Sequence, residues 1–416
     1  MLRELEDASV DAVVTDPPYG LGKPPPIAEL MRLWVADEDH GLLAPSGGFM
    51  GRAWDAMVPH PRIWREVCRV LKPGGHVVCF AGQRTADLMG VALRFGGLEL
   101  RDLGEWLFWS GFPKSLDVSK AIDAAAGAER PVVGRHPNPA GNKAGTVALN
   151  MSVHGMPAEV ALTAPATPEA AQWSGWGTAL KPAAEPWWLA RKPLGGTVAA
   201  TVLEHGTGAL NIDATRYAYG DPAWPGPGSR WGTRDNKAGS GVGSGSGAEI
   251  YGARAAVFGE ENSRGRWPAN VYYCPKASRS EREAGLAEAG IEPVAGHDAI
   301  DRAEGSAGLN NPRAGAGRTA SEVRNTHPTV KPIALMSWLV RLVTPPGGLV
   351  VDPFTGSGTT GIAAATQGFR FLGAELDARH VSIARARIDY HTKGFRDEAM
   401  RGGSVSASAL PLFGGA

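Results

Sequence analysis

The chain has 416 residues with 42 basic and 42 acidic side chains. Its formal charge is therefore zero, which excludes a globally basic nucleic-acid binder but not a local basic surface. Apolar residues make up 43%, enough for buried cores in two or three domains. The 56 glycines and 32 prolines exceed average usage and imply long loops. Cys68, Cys79 and Cys274 lie far apart without metal-ligand spacing, so neither a disulfide framework nor a metal site is expected. The leading MLRELEDAS is charged, and no apolar run is long enough to span a bilayer. The expectation is a soluble, cytoplasmic protein with no membrane partner.

In chain order, VDAVV (10–14) is a short β-branched run that reads as a buried strand, stopped by the proline-stiffened loop Asp16-Pro17-Pro18-Tyr19. PRIWREVCRVL (61–71) places Ile63, Trp64, Val67, Val70 and Leu71 on one helical face. Lys72-Pro73-Gly74-Gly75 ends that helix, and HVVCFAG (76–82) is a second strand. Leu98 to Trp109 offers further strand material. The periodicity fades between 111 and 326, where GSGVGSGSG (239–247) reads as a flexible loop. Aromatic residues such as Trp173, Trp176, Trp187, Trp188, Tyr217 and Tyr272 would be wasted in a linker, so a second, loop-rich domain inserted into the first is expected. Order returns with a helix over 333–343, a strand over 348–354, a glycine-rich turn and helix over 355–368, a strand over 369–376 and a helix over 378–388; the tail from about 392 is expected to fray. Alternating strands and helices predict an open, mostly parallel α/β sheet.

Two motifs carry chemistry. Asp16-Pro17-Pro18-Tyr19 follows a strand, where an acid and an aromatic open on a cleft. An aromatic exocyclic amine is a poor nucleophile because its lone pair is delocalised into the ring. The Asp16 carboxylate and the Pro17 carbonyl could accept its two N–H groups and favour a localised nitrogen, while Tyr19 stacks on the ring. The second motif, Asp352-Pro353-Phe354-Thr355-Gly356-Ser357-Gly358, also runs from strand into helix. Gly356 and Gly358 let the backbone approach a ligand. Glu375, 23 residues after Asp352, could accept from both ribose hydroxyls of an adenosine cofactor. Gly356-Ser-Gly358-Thr-Thr-Gly361 also matches the dinucleotide pattern, but a dehydrogenase would leave the first motif unexplained. His76 and His327 read as structural and Cys79 as core.

The paired motifs resemble those of DNA amino-methyltransferases that use S-adenosyl-L-methionine. Asp16-Pro17-Pro18-Tyr19 resembles their catalytic motif, and Asp352, Phe354, Gly356 and Gly358 fall in their cofactor motif. The order, catalytic first, resembles the β permutation group. HPTVKP (327–332) resembles the segment over the methionine end of the cofactor, where Lys331 could meet the cofactor carboxylate or cap the next helix. SGFPKSLDVSKAID (110–123), ALKPAAEPWWLARKP (179–193), LNID (210–213) and GRWPANV (265–271) resemble stretches of phage-type DNA methylases.

The resemblance implies a permuted, methyltransferase-type sheet: a catalytic half over 1–110, a target-recognition region over 111–326, a cofactor-binding half over 327–391 and a flexible tail over 392–416. It implies methyl transfer to a flipped base in double-stranded DNA, adenine N6 before cytosine N4, and a possible cognate restriction nuclease. A protein-glutamine or small-molecule methyltransferase would not need the long middle; an inactive DNA-binding remnant is a further alternative. In the family an additional strand ending in an acid precedes the catalytic strand. Here only nine residues do, so either the true start lies upstream or the sheet lacks an edge strand.

Residues 262–280 hold Arg264, Arg266, Lys276 and Arg279, no acid, and Trp267, Tyr272 and Tyr273. Basic groups between aromatics suit phosphates and an unstacked base. At least one of the arginines is expected to contact DNA, and Trp267 to be buried.

Overall fold

A computed structural model describes residues 1–22, 25–43, 53–111, 115–137, 159–218, 221, 223, 265–294, 322–400 and 412–413. The glycine-rich 239–247 segment and Arg264 lie outside the described residues. In chain order the elements are β1 (Val10–Thr15), α1 (Ile27–Val35), α2 (Pro61–Val70), β2 (Leu71–Phe80), α3 (Ala86–Phe95), β3 (Glu99–Leu107), α4 (Val118–Ala125), β4 (Val132–Pro137), β5 (Glu159–Thr163), α5 (Pro168–Gln172), β6 (Ala184–Arg191) and α6 (Val198–His205). They continue with β7 (Val271–Tyr273), α7 (Arg279–Glu283), α8 (Ile333–Val343), β8 (Leu349–Asp352), α9 (Thr359–Ala365), β9 (Arg370–Gly373), α10 (Ala378–Met400) and β10 (Leu412–Phe413).

Among the described residues, eight strands form one open sheet in the order β10-β9-β8-β1-β2-β6-β3-β7. Its strands run parallel except at β6, which is antiparallel to both β2 and β3. Chain order is permuted in space, because β8 from the C-terminal part pairs with β1 from the N-terminal part. Every residue of β1 is buried. Ala12 and Val14 enter one core with Trp106, Trp187, Trp338 and Leu339; Val10 and Val13 enter the other with Trp34, Trp64 and Val67. Val10 and Ala12 take opposite faces because the β1–β2 register shifts between them. The sheet is thus covered on both sides, as a parallel sheet requires.

Three features differ from the sequence expectation. Lys72 to Gly75 do not separate helix from strand: α2 ends at Val70 and β2 starts at Leu71. Tertiary partners extend the strand, since Gly74 donates to the Lys192 carbonyl, Lys192 N–H donates to Gly75, and Lys72 Nζ lies 2.6 Å from Asp11. Part of 111–326 belongs to the central sheet: β6 is inserted between β2 and β3, and β7 pairs with β3. Among the described residues, β4 and β5 form a separate two-stranded sheet, tied to α4 by Arg130, which bonds Thr163 and Asp123. At the other edge, β10 runs parallel to β9, although the tail was expected to be frayed. Among the described residues, no helix is long and apolar enough to cross a membrane.

Candidate active site

Parallel neighbours end on the same side of a sheet, so the loops after β1 and β8 emerge together. Asp16 is the first residue after β1. The loop beyond it is held from three directions. Tyr19 N–H donates to Asp55 Oδ1 at 2.6 Å, Thr85 Oγ1 donates to the Tyr19 carbonyl at 2.5 Å, and Gly20 turns the chain at φ +68°. A Cβ on Gly20 would stand 2.7 Å from the Val58 nitrogen, so only glycine fits.

Lys331 comes from the segment leading into α8 and is 5% exposed. Its Nζ lies 2.5 Å from Asp16 Oδ2, 2.9 Å from the Tyr19 hydroxyl and 3.3 Å from Glu185 Oε2. The Tyr19 hydroxyl donates to Asp16 Oδ1 at 2.8 Å. The Lys331 ammonium does not cap α8; it sits on the Asp16 loop. Burial raises the Asp16 pKa above the ordinary carboxylate value, against the opposing pull of Lys331. Burial, together with the Asp16 and Glu185 charges, raises Tyr19 as well. For Lys331 burial alone would lower the pKa, but the two carboxylates outweigh it and the ammonium is held charged.

The second loop is built differently. Asp352 is 2% exposed. Its Oδ1 accepts from Thr15 Oγ1 at 2.6 Å and Phe354 N–H at 3.1 Å; its Oδ2 accepts from Thr360 Oγ1 at 2.7 Å. Burial pushes its pKa up to about 6. Gly356 and Gly358 take φ +54° and +83°. Gly356 N–H donates to Glu375 Oε2 at 2.9 Å, and Asp377 N–H donates to Glu375 Oε1 at 3.0 Å. Phe354 is half-buried beside Trp64, with ring centroids 6.4 Å apart. His327, read as structural, packs its ring against Gly356. Fully buried Arg387 of α10 donates to the Ser357 carbonyl and hydroxyl and to Thr359 Oγ1.

The structure therefore gathers Asp16, Pro17, Pro18, Tyr19 and Lys331 with Asp352, Phe354, Gly356, Gly358 and Glu375 at one end of the sheet. Sequence reasoning missed Glu185, Arg387, Asp55 and Thr15. Glu185 had a faint signal, an acid leading the apolar run PWWLA. Arg387 had none, because a surface arginine on a helix looks the same in sequence.

The basic aromatic segment is only partly near this site. Lys276 Nζ lies 3.3 Å from Glu185 Oε1 and 4.1 Å from the Phe108 ring centroid. Trp267 is 63% exposed, which corrects the expectation of burial: Arg266 pairs with Tyr217 across a bridge, and it is Tyr217 that enters the core. The guanidinium of Arg216 sits 5.0 Å over the Trp267 ring. Among the described residues no group of three potential metal ligands gathers.

A family model described as "DNA methylase" matches residues 217–386. The type II methyltransferase M2.DpnII of Streptococcus pneumoniae is 41% identical over 63 residues, 15% of this chain and 24% of that protein. The DNA adenine methyltransferase YhdJ of Escherichia coli K12 is 40% identical over 63 residues, 15% of this chain and 21% of that protein. The chain thus spans about a quarter or less of the length of these curated relatives. Among solved structures, the cytosine-N4-specific PvuII DNA methyltransferase aligns over 96% of this chain and 89% of its own, at 13% identity and a TM-score of 0.41. Over residues 217–386, the chain is similar to the DNA methylase family.

Proposed function

We propose that the protein moves a methyl group from S-adenosyl-L-methionine to the exocyclic amine of a base flipped out of double-stranded DNA, adenine N6 in the first place and cytosine N4 as the alternative. The observation that carries this reading is the half-buried Asp16 carboxylate, paired with buried Lys331 one strand away from the glycine loop that leads into α9. The name of the Escherichia coli relative, an adenine enzyme, favours N6.

The donor set fits the cofactor. Glu375 offers a half-buried carboxylate at the end of β9, beside two glycines in left-handed conformation and the apolar Phe354. Glu375 would hold the ribose, the loop backbone would follow the cofactor closely, and Phe354 would cover an apolar face. When bound, the cofactor supplies an electrophilic sulfonium methyl.

The chain's own groups do the rest. Asp16 and the Pro17 carbonyl accept the two amine N–H groups and localise the nitrogen lone pair, a stabilisation that grows as the amine acquires positive charge. Tyr19, fixed through its hydroxyl, offers a ring face to the base. The raised pKa of Asp16 makes it a better acceptor for the proton the amine must lose. Flipping is needed because a stacked base hides both its amine and its ring face.

Arg266, Lys276 and the Arg216–Trp267 pair are the DNA-facing candidates in this reading, and the cytoplasm is the place where the protein would meet DNA. A cognate restriction nuclease would be revealed if DNA treated with the protein became resistant to a nuclease from the same source. The direct test is mass spectrometry of nucleosides after the full chain has acted on unmodified duplex DNA. N6-methyladenine is expected. N4-methylcytosine would select the alternative, and no methylated base would overturn the reading.

A further inference from the structure

We propose that Glu185 is a positioning residue: it receives the Lys331 ammonium and so frees Asp16 to turn from its lysine to the incoming amine. This inference rests on the methyl-transfer reading above.

Both oxygens of Asp16 are engaged, Oδ1 by the Tyr19 hydroxyl and Oδ2 by Lys331. An amine arriving at Asp16 must displace or share one of them. Tyr19 is the poorer candidate to move, because its backbone is tied to Asp55 and Thr85. Lys331 carries three rotatable donors on a flexible stem. It already has a second carboxylate within reach, Glu185 Oε2 at 3.3 Å. Glu185 stands on β6 opposite Trp106 of β3, and the carbonyl of the next residue, Pro186, accepts from Ala81 N–H just past β2, so its backbone is fixed. Beyond it, Lys276 lies 3.3 Å from Oε1 and is half exposed. Four charges of alternating sign thus run outward: Asp16, Lys331, Glu185, Lys276. Moving the ammonium along this row from Asp16 towards Glu185 keeps it paired throughout, which matters because an unpaired buried charge is costly. Without Glu185 the ammonium would have, among the described residues, Asp16 as its one ion-pair partner and would compete with the amine for it.

A merely structural Glu185, present to neutralise Lys331, would shift the Asp16 titration through its charge and affect stability, but would leave the plateau rate unchanged. The plateau rate above the acid limb therefore separates the two roles, and the limb shows that Glu185 acts on Asp16. The groups that face Asp16 are Lys331 from the α8 approach, Tyr19 on its own loop, Glu185 on β6, Cys79 on β2 and Asp352 on β8. Glu185 in turn faces Lys276. Methyl transfer to duplex DNA is to be measured against pH at saturating DNA and cofactor, for the full chain and for Glu185→Gln. The plateau rate of E185Q should fall roughly ten- to a hundred-fold. Its acid limb should move to lower pH, because Asp16 loses a neighbouring negative charge and keeps its lysine. Cofactor affinity by calorimetry should not change. A wild-type plateau rate, or an unmoved acid limb, would overturn the proposal.

If E185Q does not fold, the half-exposed Lys276→Met keeps the idea testable. It leaves Glu185 wholly to Lys331, so the acid limb should move the opposite way, to higher pH; an unmoved limb overturns the proposal. These failures are distinct from that of the functional reading, which is overturned, and this inference with it, when the wild-type chain itself methylates no DNA.

Discussion

Two Asp-Pro loops leave neighbouring parallel strands, yet they do different work. Asp16 after β1 meets a cation, a phenol and, across Lys331, a second carboxylate. Asp352 at the end of β8 meets two hydroxyls and a backbone N–H, with no cation in hydrogen-bond contact among the described residues. The first is poised to change partners. The second is a tie that joins β1, β8 and α9. In the proposed reading, the same dipeptide at the same end of a sheet becomes a reacting group or a structural one according to what distant chain brings to it.

The sharpest way to break this comparison is to remove each acid in turn. Asp16→Ala should cost about 10²–10³-fold or more in methylation rate with cofactor affinity and thermal stability nearly kept. Asp352→Ala should instead destabilise the fold, by about 1–3 kcal/mol for each buried donor left unpaired. Activity assays beside urea unfolding would show it; similar stability losses in the two variants would erase the distinction.

A pH series sharpens it further. Asp352 titrates at about 6 in the fold against 3.8 in the unfolded chain. Its protonation is therefore stabilising, a contribution complete below 3.8 and lost as pH rises through 6. Relative to the non-titrating Asp352→Asn, the wild type should gain roughly 3 kcal/mol between neutral pH and the acid end of that window. Urea unfolding at both ends measures it. Buried His76 titrates at about 4 against 6.5, so its contribution is present above 6.5 and lost as pH falls through 4. That opposite sign is why the difference between variants, and not the raw curve, is the quantity to read.

Arg387→Met tests whether the second loop is held from behind. Losing the donors to Ser357 and Thr359 should cost about 1–3 kcal/mol and weaken cofactor binding in calorimetry, while the Asp16 loop keeps its geometry. The smallest effects belong to the basic aromatic segment. Arg266→Ala should flatten the log–log salt dependence of duplex binding by about 0.9. Trp267→Ala, at an exposed position, should leave unfolding stability within about 0.5 kcal/mol.

Much of the frame was legible locally. The β-branched run of β1, the apolar stripe of α8 and the glycine turn before α9 appear close to their predicted positions, because burial period and turn chemistry are written in consecutive residues. The paired motifs that mark the site are short and contiguous for the same reason. The partners of those motifs were not legible. Glu185 lies 169 residues from Asp16 in sequence, and nothing in AAEPWW announces that β6 inserts beside β2.

The sequence by itself determined the strands and helices at the two ends of the chain that carry the motifs, which loops carry an acid beside a proline, and that both ends of the chain build a sheet. Tertiary structure alone decided that β8 docks on β1, that β6 enters the sheet antiparallel, and that Lys331 lies between two carboxylates. The reason is physical. Backbone preference and apolar periodicity are properties of neighbouring residues, whereas the charge state and freedom of Asp16 depend on which distant groups the folded sheet brings within a few ångströms.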